Sequence, residues 1–114
     1  MDACLIYVTT KDIVEARMIG RHLVTSRLAA CVNIIDGINS IYLWNDEIQD
    51  DQEVVLIAKT SQARVPELTA EICAKHSYDC PCVVSLPITD GNPAFLSWIG
   101  EQTVQVDESE GPVI

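Results

Sequence analysis

Residues 54–58 form the apolar run VVLIA, from which the architecture of the chain can be inferred. Its residues are apolar at both alternating positions, a pattern that is typical of a strand buried on both faces of a sheet. The runs LIYV at residues 5–8 and VV at residues 83–84 share this pattern. The chain is therefore expected to form a sheet whose two faces are both covered.

Further elements are predicted on either side of these runs from hydrophobic periodicity and turn residues. The predicted strands cover residues 4–9, 30–44, 48–60 and 80–88, with a bulge or turn at Gly37 and a hairpin turn at residues 45–47. The predicted helices run from Ile13 to about Arg27, from a cap at residues 60–61 to about Lys75, and over a short segment that starts at residues 91–93. Residues 103–106 are predicted to form an edge strand.

The order strand, helix, strand, strand, helix, strand is that of a ferredoxin-like α+β domain, in which both helices lie on one face of a four-stranded sheet. The other face should then be polar, yet the strands are apolar at both parities. Because no residues remain to form another layer, the same face of further copies is the expected cover, which predicts a closed homo-oligomer. The alternative is a monomer with an exposed apolar patch.

Composition limits the domain count and the class of partner. With 114 residues the chain can bury one core, and we predict a single domain over residues 1–106 and an acidic, mobile tail over residues 107–114. The chain has 7 Lys and Arg against 17 Asp and Glu, a net charge of −10, which repels phosphate backbones and anionic lipids. Neither nucleic acid nor a membrane is therefore expected as a partner.

A cytoplasmic location is predicted from the same features. The sequence has no apolar run of about 18 residues, and its first residues lack the basic flank of a secretory signal. The five cysteines make an odd count, which fits reduced thiols better than a disulfide framework.

Several separate motifs follow one another along the chain. They are LAACVNI at residues 28–34, SxYxW at residues 40–44, HxYxxP at residues 76–81, LPI at residues 86–88 and LxW at residues 96–98. On these motifs the sequence, from about Leu5 to Ile99, resembles the CutA family of divalent-cation tolerance proteins. The resemblance implies a ferredoxin-like fold, a tight homotrimer, a cytoplasmic location and binding of copper or another divalent metal. The copper ligands proposed in a relative fall at Val8, Lys75 and His76 of this chain, so that His76 alone could ligate.

A pair of cysteines, Cys80 and Cys82, is the metal site that the residues themselves indicate. In an extended strand, positions two apart point to the same side and lie about 6.6 Å apart, so that two thiolates would converge. Soft sulfur ligands favour Cu(I) or zinc, and His76, four residues before Cys80, could add an imidazole. The alternatives are a strained, reducible disulfide between the two cysteines and a pair of ordinary, partly buried thiols.

A cleft between subunits is the second candidate site. Glu53 and Lys59 have the same strand parity, so both are predicted to face the shared surface. Trp44, His76 and Tyr78 could help to line a cleft there. Such a cleft favours a signalling or interaction module, similar in architecture to the PII regulatory proteins, that binds a small molecule or a protein. A purely structural role in the interface is the alternative.

No motif of a known catalytic class is present in the sequence. It contains no G-x-S-x-G, no phosphate-binding loop and no H-E-x-x-H. We therefore expect a protein that is not an enzyme, with thiol chemistry at Cys80 or Cys82 as the remaining alternative.

Overall fold

The structure, a computed structural model, describes residues 2–104. Its elements are β1 (Ala3–Thr10), α1 (Ile13–Thr25), β2 (Cys31–Trp44), β3 (Glu47–Ser61), α2 (Val65–Lys75), β4 (Val83–Pro87) and α3 (Pro93–Gln102), with a short 3-10 turn, Gln62–Arg64, before α2. The strands form one antiparallel sheet in the order β2-β3-β1-β4. This topology confirms the predicted ferredoxin-like α+β fold.

One face of the sheet packs against α1 and α2 and forms the main core. Side chains alternate along a strand, so the even-numbered residues of β1 and of the second half of β3 point to this face. The buried side chains that meet there include Ile6, Val8, Leu56, Ile19, Leu23, Leu68 and Ile72. These residues are the ones whose apolar side chains recur at the spacing of a helix or a strand. Burying each side chain contributes about 1.5–3 kcal/mol to the free energy of unfolding.

The bulge and the hairpin turn are both found where the sequence predicted them. The register of β2 on β3 shifts between Ile35 and Ile38, and Gly37 in between has a φ of +79°, which favours glycine. Asn45 and Asp46 join β2 to β3 with φ values of 51° and 63°, as a tight hairpin requires. The predicted first helix ends earlier than expected, at Thr25, because Arg27 also adopts a positive φ, of 58°.

The opposite side of the sheet, which we call the open face, carries the odd-numbered residues of β1 and their cross-strand partners. Tyr7 lies between Ile57 and Val84 on this face. Helix α3 covers one end of it, where Ile99 packs with Ala3 and Ala30. The two edge strands remain uncovered on this face, with Ile35 of β2 and Val84 and Leu86 of β4 each 49% exposed. The two-sided apolar pattern of the strands therefore corresponds to a real apolar surface.

Two strand predictions need correction. The last strand begins at Val83 rather than at residue 80, because Pro81 has no N–H to donate and restricts the residue before it. Thr103 ends α3 instead of starting an edge strand, and its hydroxyl donates to the carbonyl of Ile99 at 2.8 Å. Residues 105–106 of that predicted strand, and the predicted tail at residues 107–114, lie outside the described residues.

Within residues 2–104, no helix is long and apolar enough to cross a bilayer.

Candidate functional site

A cleft of about 640 Å³ lies on the open face, between the sheet and the segment that joins α2 to β4. Residues 76–82, which we call the cover loop, form its rim. The sheet contributes Tyr7, Thr9, Ser40, Tyr42, Trp44 and Glu53, and the cover loop contributes Ser77, Tyr78, Asp79, Cys80 and Cys82. The sheet residues share one face because they alternate along β1, β2 and β3.

His76 fixes the start of the cover loop to the end of β1. Its side chain is fully buried, its Nε2 lies 2.8 Å from the carbonyl oxygen of Thr9, and its Nδ1 accepts the N–H of Tyr78 at 3.1 Å. A carbonyl can only accept and a backbone N–H can only donate, so the neutral ring carries its proton on Nε2. Both ring nitrogens are therefore engaged in holding the loop, and the ring does not line the cleft.

Glu15, on the first turn of α1, holds the same loop from beneath. Its carboxylate is 6% exposed, and it accepts the N–H of Ser77 at 3.0 Å and that of Lys11 at 3.2 Å. Burial by itself would raise the pKa of Glu15, but the hydrogen bonds from Ser77 and Lys11 outweigh burial, and the pKa lies below its ordinary value. Glu15 is therefore a buried carboxylate that stays ionised at neutral pH.

Two phenol–carboxylate pairs lie along the cleft wall. The hydroxyl of Tyr78 donates to Oε2 of Glu53 at 2.8 Å, and that of Tyr42 donates to Oδ2 of Asp51 at 2.7 Å. Burial, the hydrogen bond to Glu53 and the negative charge of Glu53 raise the pKa of Tyr78 well above its ordinary value. The hydrogen bond to Asp51 raises the pKa of Tyr42. The cleft is thus aromatic and acidic, which suits a cation or a hydrogen-bond donor.

The two candidate thiols reach the cleft from its rim. Cys80 is exposed and Cys82 lies against the wall near Glu53. Burial and the negative charge of Glu53 raise the pKa of Cys82, so this thiol is protonated at neutral pH. Because both cysteines precede β4, the strand alternation from which their convergence was predicted does not apply to them. Within residues 2–104, no three His, Cys, Asp or Glu side chains of one chain meet as a metal site.

Five residues were predicted for a cleft between subunits, and the structure brings three of them together in a cleft within one chain, without the ring of His76. Trp44, Glu53 and Tyr78 line it, whereas Lys59 lies at the other end of the open face. Its Nζ donates to Oδ1 of Asn33 at 2.6 Å and lies 5.9 Å from the ring centre of Phe95. Six residues of strand span about 20 Å, so the shared parity of Glu53 and Lys59 places them on one face but not at one site.

Sequence reasoning missed several residues of the site. Tyr42 could have been found, since it has the same parity as Trp44 within the SxYxW motif. Tyr7 could likewise have been found from its central place in the strand at residues 5–8. Glu15 carried no signal, because an acidic residue in the first turn of a helix is usually exposed and interacts with the helix dipole.

The comparisons with known proteins agree on one family. The family model for the CutA1 divalent ion tolerance protein matches residues 4–102. The divalent-cation tolerance protein CutA of Thermus thermophilus is 43% identical over 90% of this chain and 97% of its own length. A CutA homolog of Xenopus laevis is 44% identical over 83% of this chain, and the chloroplastic protein CutA of Arabidopsis thaliana is 40% identical over 87% of it. This chain spans 63% and 54% of those two relatives.

Solved structures show the same architecture. The Cut A1 protein of Thermus thermophilus superimposes with a TM-score of 0.88 at 41% identity, over 90% of this chain and 99% of that one. CutA1 of Oryza sativa gives a TM-score of 0.89 at 36% identity, over 93% of this chain and 97% of that one. The periplasmic divalent cation tolerance protein CutA of Archaeoglobus fulgidus gives a TM-score of 0.87 at 37% identity, over 90% of this chain and 99% of that one.

Proposed function

Because this chain belongs to the CutA1 divalent ion tolerance family, we propose that it is a cytoplasmic homotrimer that binds copper or another divalent metal and contributes to divalent-cation tolerance. The single observation that carries the proposal, beside the family, is the acidic cleft on the open face, which holds two thiols and the carboxylate of Glu53. A net charge of −10 further attracts cations to this surface.

The trimer is supported by the uncovered edge strands of the open face. Ile35 on β2 and Val84 and Leu86 on β4 are half exposed on the same face as the cleft. Burying the rest of each side chain between copies contributes about 1 kcal/mol per residue and subunit. Sedimentation at micromolar concentration is expected to give a trimer, and Val84→Glu, which places a charge on the exposed apolar surface of β4, is expected to dissociate it. A monomeric wild-type chain would contradict the proposal.

The metal site is proposed at Cys80 and Cys82, with the carboxylate of Glu53 near Cys82. Soft sulfur ligands bind Cu(I) and zinc. Because its pKa is raised, the Cys82 thiol is protonated at neutral pH, and a bound metal would replace that proton on the sulfur. His76 is the third proposed ligand, but its two nitrogens already bind the backbone, so ligation by His76 requires the cover loop to move. In a trimer, another subunit can supply further ligands.

Calorimetric titration with Cu(I), Cu(II) and zinc tests this site. We expect Cys80→Ser/Cys82→Ser to weaken binding of a soft metal at least tenfold, since two of its ligands are lost. The matched control is Cys31→Ser/Cys73→Ser, which removes the same number of thiols outside the cleft. Identical isotherms for the wild type and the Cys80/Cys82 variant would remove the thiols from the site.

A second candidate function is a signalling or interaction module, similar to the PII proteins, that binds a small molecule or a protein. It is favoured by the aromatic lining of the cleft, where Tyr42, Trp44 and Tyr78 surround Glu53. Lys59 would belong to this site only if another subunit brings it to the cleft. A thermal-shift screen separates the two functions, because stabilisation by metabolites without stabilisation by metals favours the module. Neither function requires catalysis.

A further inference from the structure

The cleft on the open face contains most of the aromatic side chains of this protein. The sequence has three Tyr, two Trp and one Phe. All three tyrosines and one tryptophan line the cleft, namely Tyr7, Tyr42, Trp44 and Tyr78. The buried hydrophobic residues within residues 2–104, in contrast, are aliphatic apart from one cysteine. Filling the core therefore does not explain why the aromatic rings gather at this cleft.

The faces of these rings are largely free to meet a ligand. In the part of the chain that the structure describes, Tyr78 is the one ring of the four that stacks on another ring, that of His76, at 4.6 Å between ring centres. The hydroxyl of Tyr42 donates to Asp51, which holds that ring at its polar end. Because the face of an aromatic ring is electronegative, rings that are held at the edge and unpaired on the face attract a cation.

Glu53 adds a carboxylate to the wall of the cleft. The residue is 9% exposed, and its Oε2 accepts the hydroxyl of Tyr78. Oε1 has no hydrogen-bond donor among the described residues, and no fully buried side-chain oxygen there lacks one, so Oε1 is reached by solvent at the cleft. Asp79 is a second acid of the lining, which includes no Lys or Arg. The described lining therefore carries negative charge that no basic side chain compensates.

The cleft is much larger than the metal site proposed at its rim. Its volume of about 640 Å³ lies within the range of pockets that bind small organic molecules, about 300–1,000 Å³. A primary ammonium group has three N–H donors and needs acceptors for them, whereas a quaternary ammonium group has none and is bound by ring faces and a nearby negative charge. A lining of four rings and few acceptors therefore suits the quaternary group.

We propose that the cleft binds a small organic cation with a quaternary ammonium group, held by the carboxylate of Glu53 and the rings of Tyr42 and Trp44. This inference rests on the second candidate function, binding of a small molecule, and names the chemical class of that molecule. It does not require Cys80 and Cys82. A free molecule is the favoured source of the group, because the phosphate of a lipid headgroup would be repelled by the acids of the cleft and by the net charge of −10.

Calorimetric titration of the full chain with choline, at constant ionic strength, tests the proposal. The matched neutral probe is the alcohol in which a tert-butyl group replaces the trimethylammonium group of choline. We expect choline to bind at least about tenfold more tightly than this alcohol, because only choline carries the charge. Phosphocholine, which carries the phosphate of a lipid headgroup, is expected to bind at least about tenfold more weakly than choline.

Two pairs of variants locate the binding in the cleft. Glu53→Gln is expected to weaken choline binding about tenfold and to leave binding of the neutral alcohol unchanged. Glu101→Gln removes the same charge from an exposed position on α3 and is expected to weaken neither. Trp44→Leu, at a residue 51% exposed and outside the core, is expected to weaken choline binding about fivefold, because the ring is lost. Trp98→Leu changes the other tryptophan, which does not line the cleft, and is expected to preserve binding.

Equal binding of choline and the neutral alcohol would overturn the proposal, as would equal choline binding by the wild type and Glu53→Gln. Phosphocholine binding as tight as that of choline would assign the cleft to a lipid headgroup and contradict a free ligand. Cys80→Ser/Cys82→Ser is expected to bind choline like the wild type, so that failure of the metal site and failure of this site are separate results. Stabilisation by other metabolites without choline binding would support the second candidate function and refute this inference.

Discussion

Replacing Glu15 with Gln tests how the cover loop is held over the cleft. The carboxylate of Glu15 accepts two backbone N–H groups, one from Lys11 and one from Ser77, through its two oxygens. Gln has a single acceptor oxygen, and its amide would face the other N–H, donor against donor. One buried N–H is thus left unsatisfied, and the free energy of unfolding is expected to fall by about 2 kcal/mol at pH 7.

The effect of Glu15→Gln should depend on pH with a definite sign. The pKa of Glu15 is lowered in the folded chain, so its contribution to stability is fully present above its ordinary pKa and is lost as the pH falls through the folded value. The wild type should lose this contribution on acidification, whereas the Gln variant has no proton to gain. The difference in free energy of unfolding between the wild type and Glu15→Gln is therefore expected to shrink as the pH is lowered from 7 to 3.

Urea unfolding at fixed subunit concentration measures this difference at both pH values. Glu101→Gln, an exposed carboxylate on α3, is the matched control and is expected to change stability by less than about 0.5 kcal/mol. Equal stability of Glu15→Gln and the wild type at pH 7, or a difference in stability that does not change with pH, would show that Glu15 does not hold the loop as an ionised acceptor.

The remaining predictions concern the cleft and the packing of α1. Tyr78→Phe removes the hydroxyl that donates to Glu53 and is expected to lower the free energy of unfolding in urea by about 1 kcal/mol. An unchanged free energy of unfolding would contradict a structural role for that hydrogen bond. Gly20→Ala places a Cβ 2.9 Å from Cγ2 of Val32 and is expected to destabilise the chain by about 1 kcal/mol, although Ala has the better helix propensity. In the double variant, Val32→Ala should remove this contact and recover part of the lost stability. The Cys82 thiol is expected to react with iodoacetamide more slowly than free cysteine at pH 8, because its pKa is raised, and Glu53→Gln should accelerate the reaction.

Part of the candidate site could be predicted from strand parity. Trp44, Glu53 and Tyr78 were expected in a cleft between subunits, and the structure places them in a cleft within one chain. Parity identifies the face of a sheet but not the distance along it, and for that reason Lys59 was grouped with residues about 20 Å away. The convergence of Cys80 and Cys82 was predicted from a strand that does not extend to them, because Pro81 ends the hydrogen-bonded ladder.

The sequence alone determined the order of elements, the two-sided apolar strands and the family, because hydrophobic period and turn chemistry act between residues close in the chain. The tertiary structure decided the roles of Glu15 and His76. Glu15 is buried only because the cover loop, about sixty residues later, places the N–H of Ser77 on it. His76 looked like a metal ligand, but both of its nitrogens bind backbone groups, including the distant carbonyl of Thr9. Such contacts depend on which distant segments meet when the chain folds, and no local pattern records them.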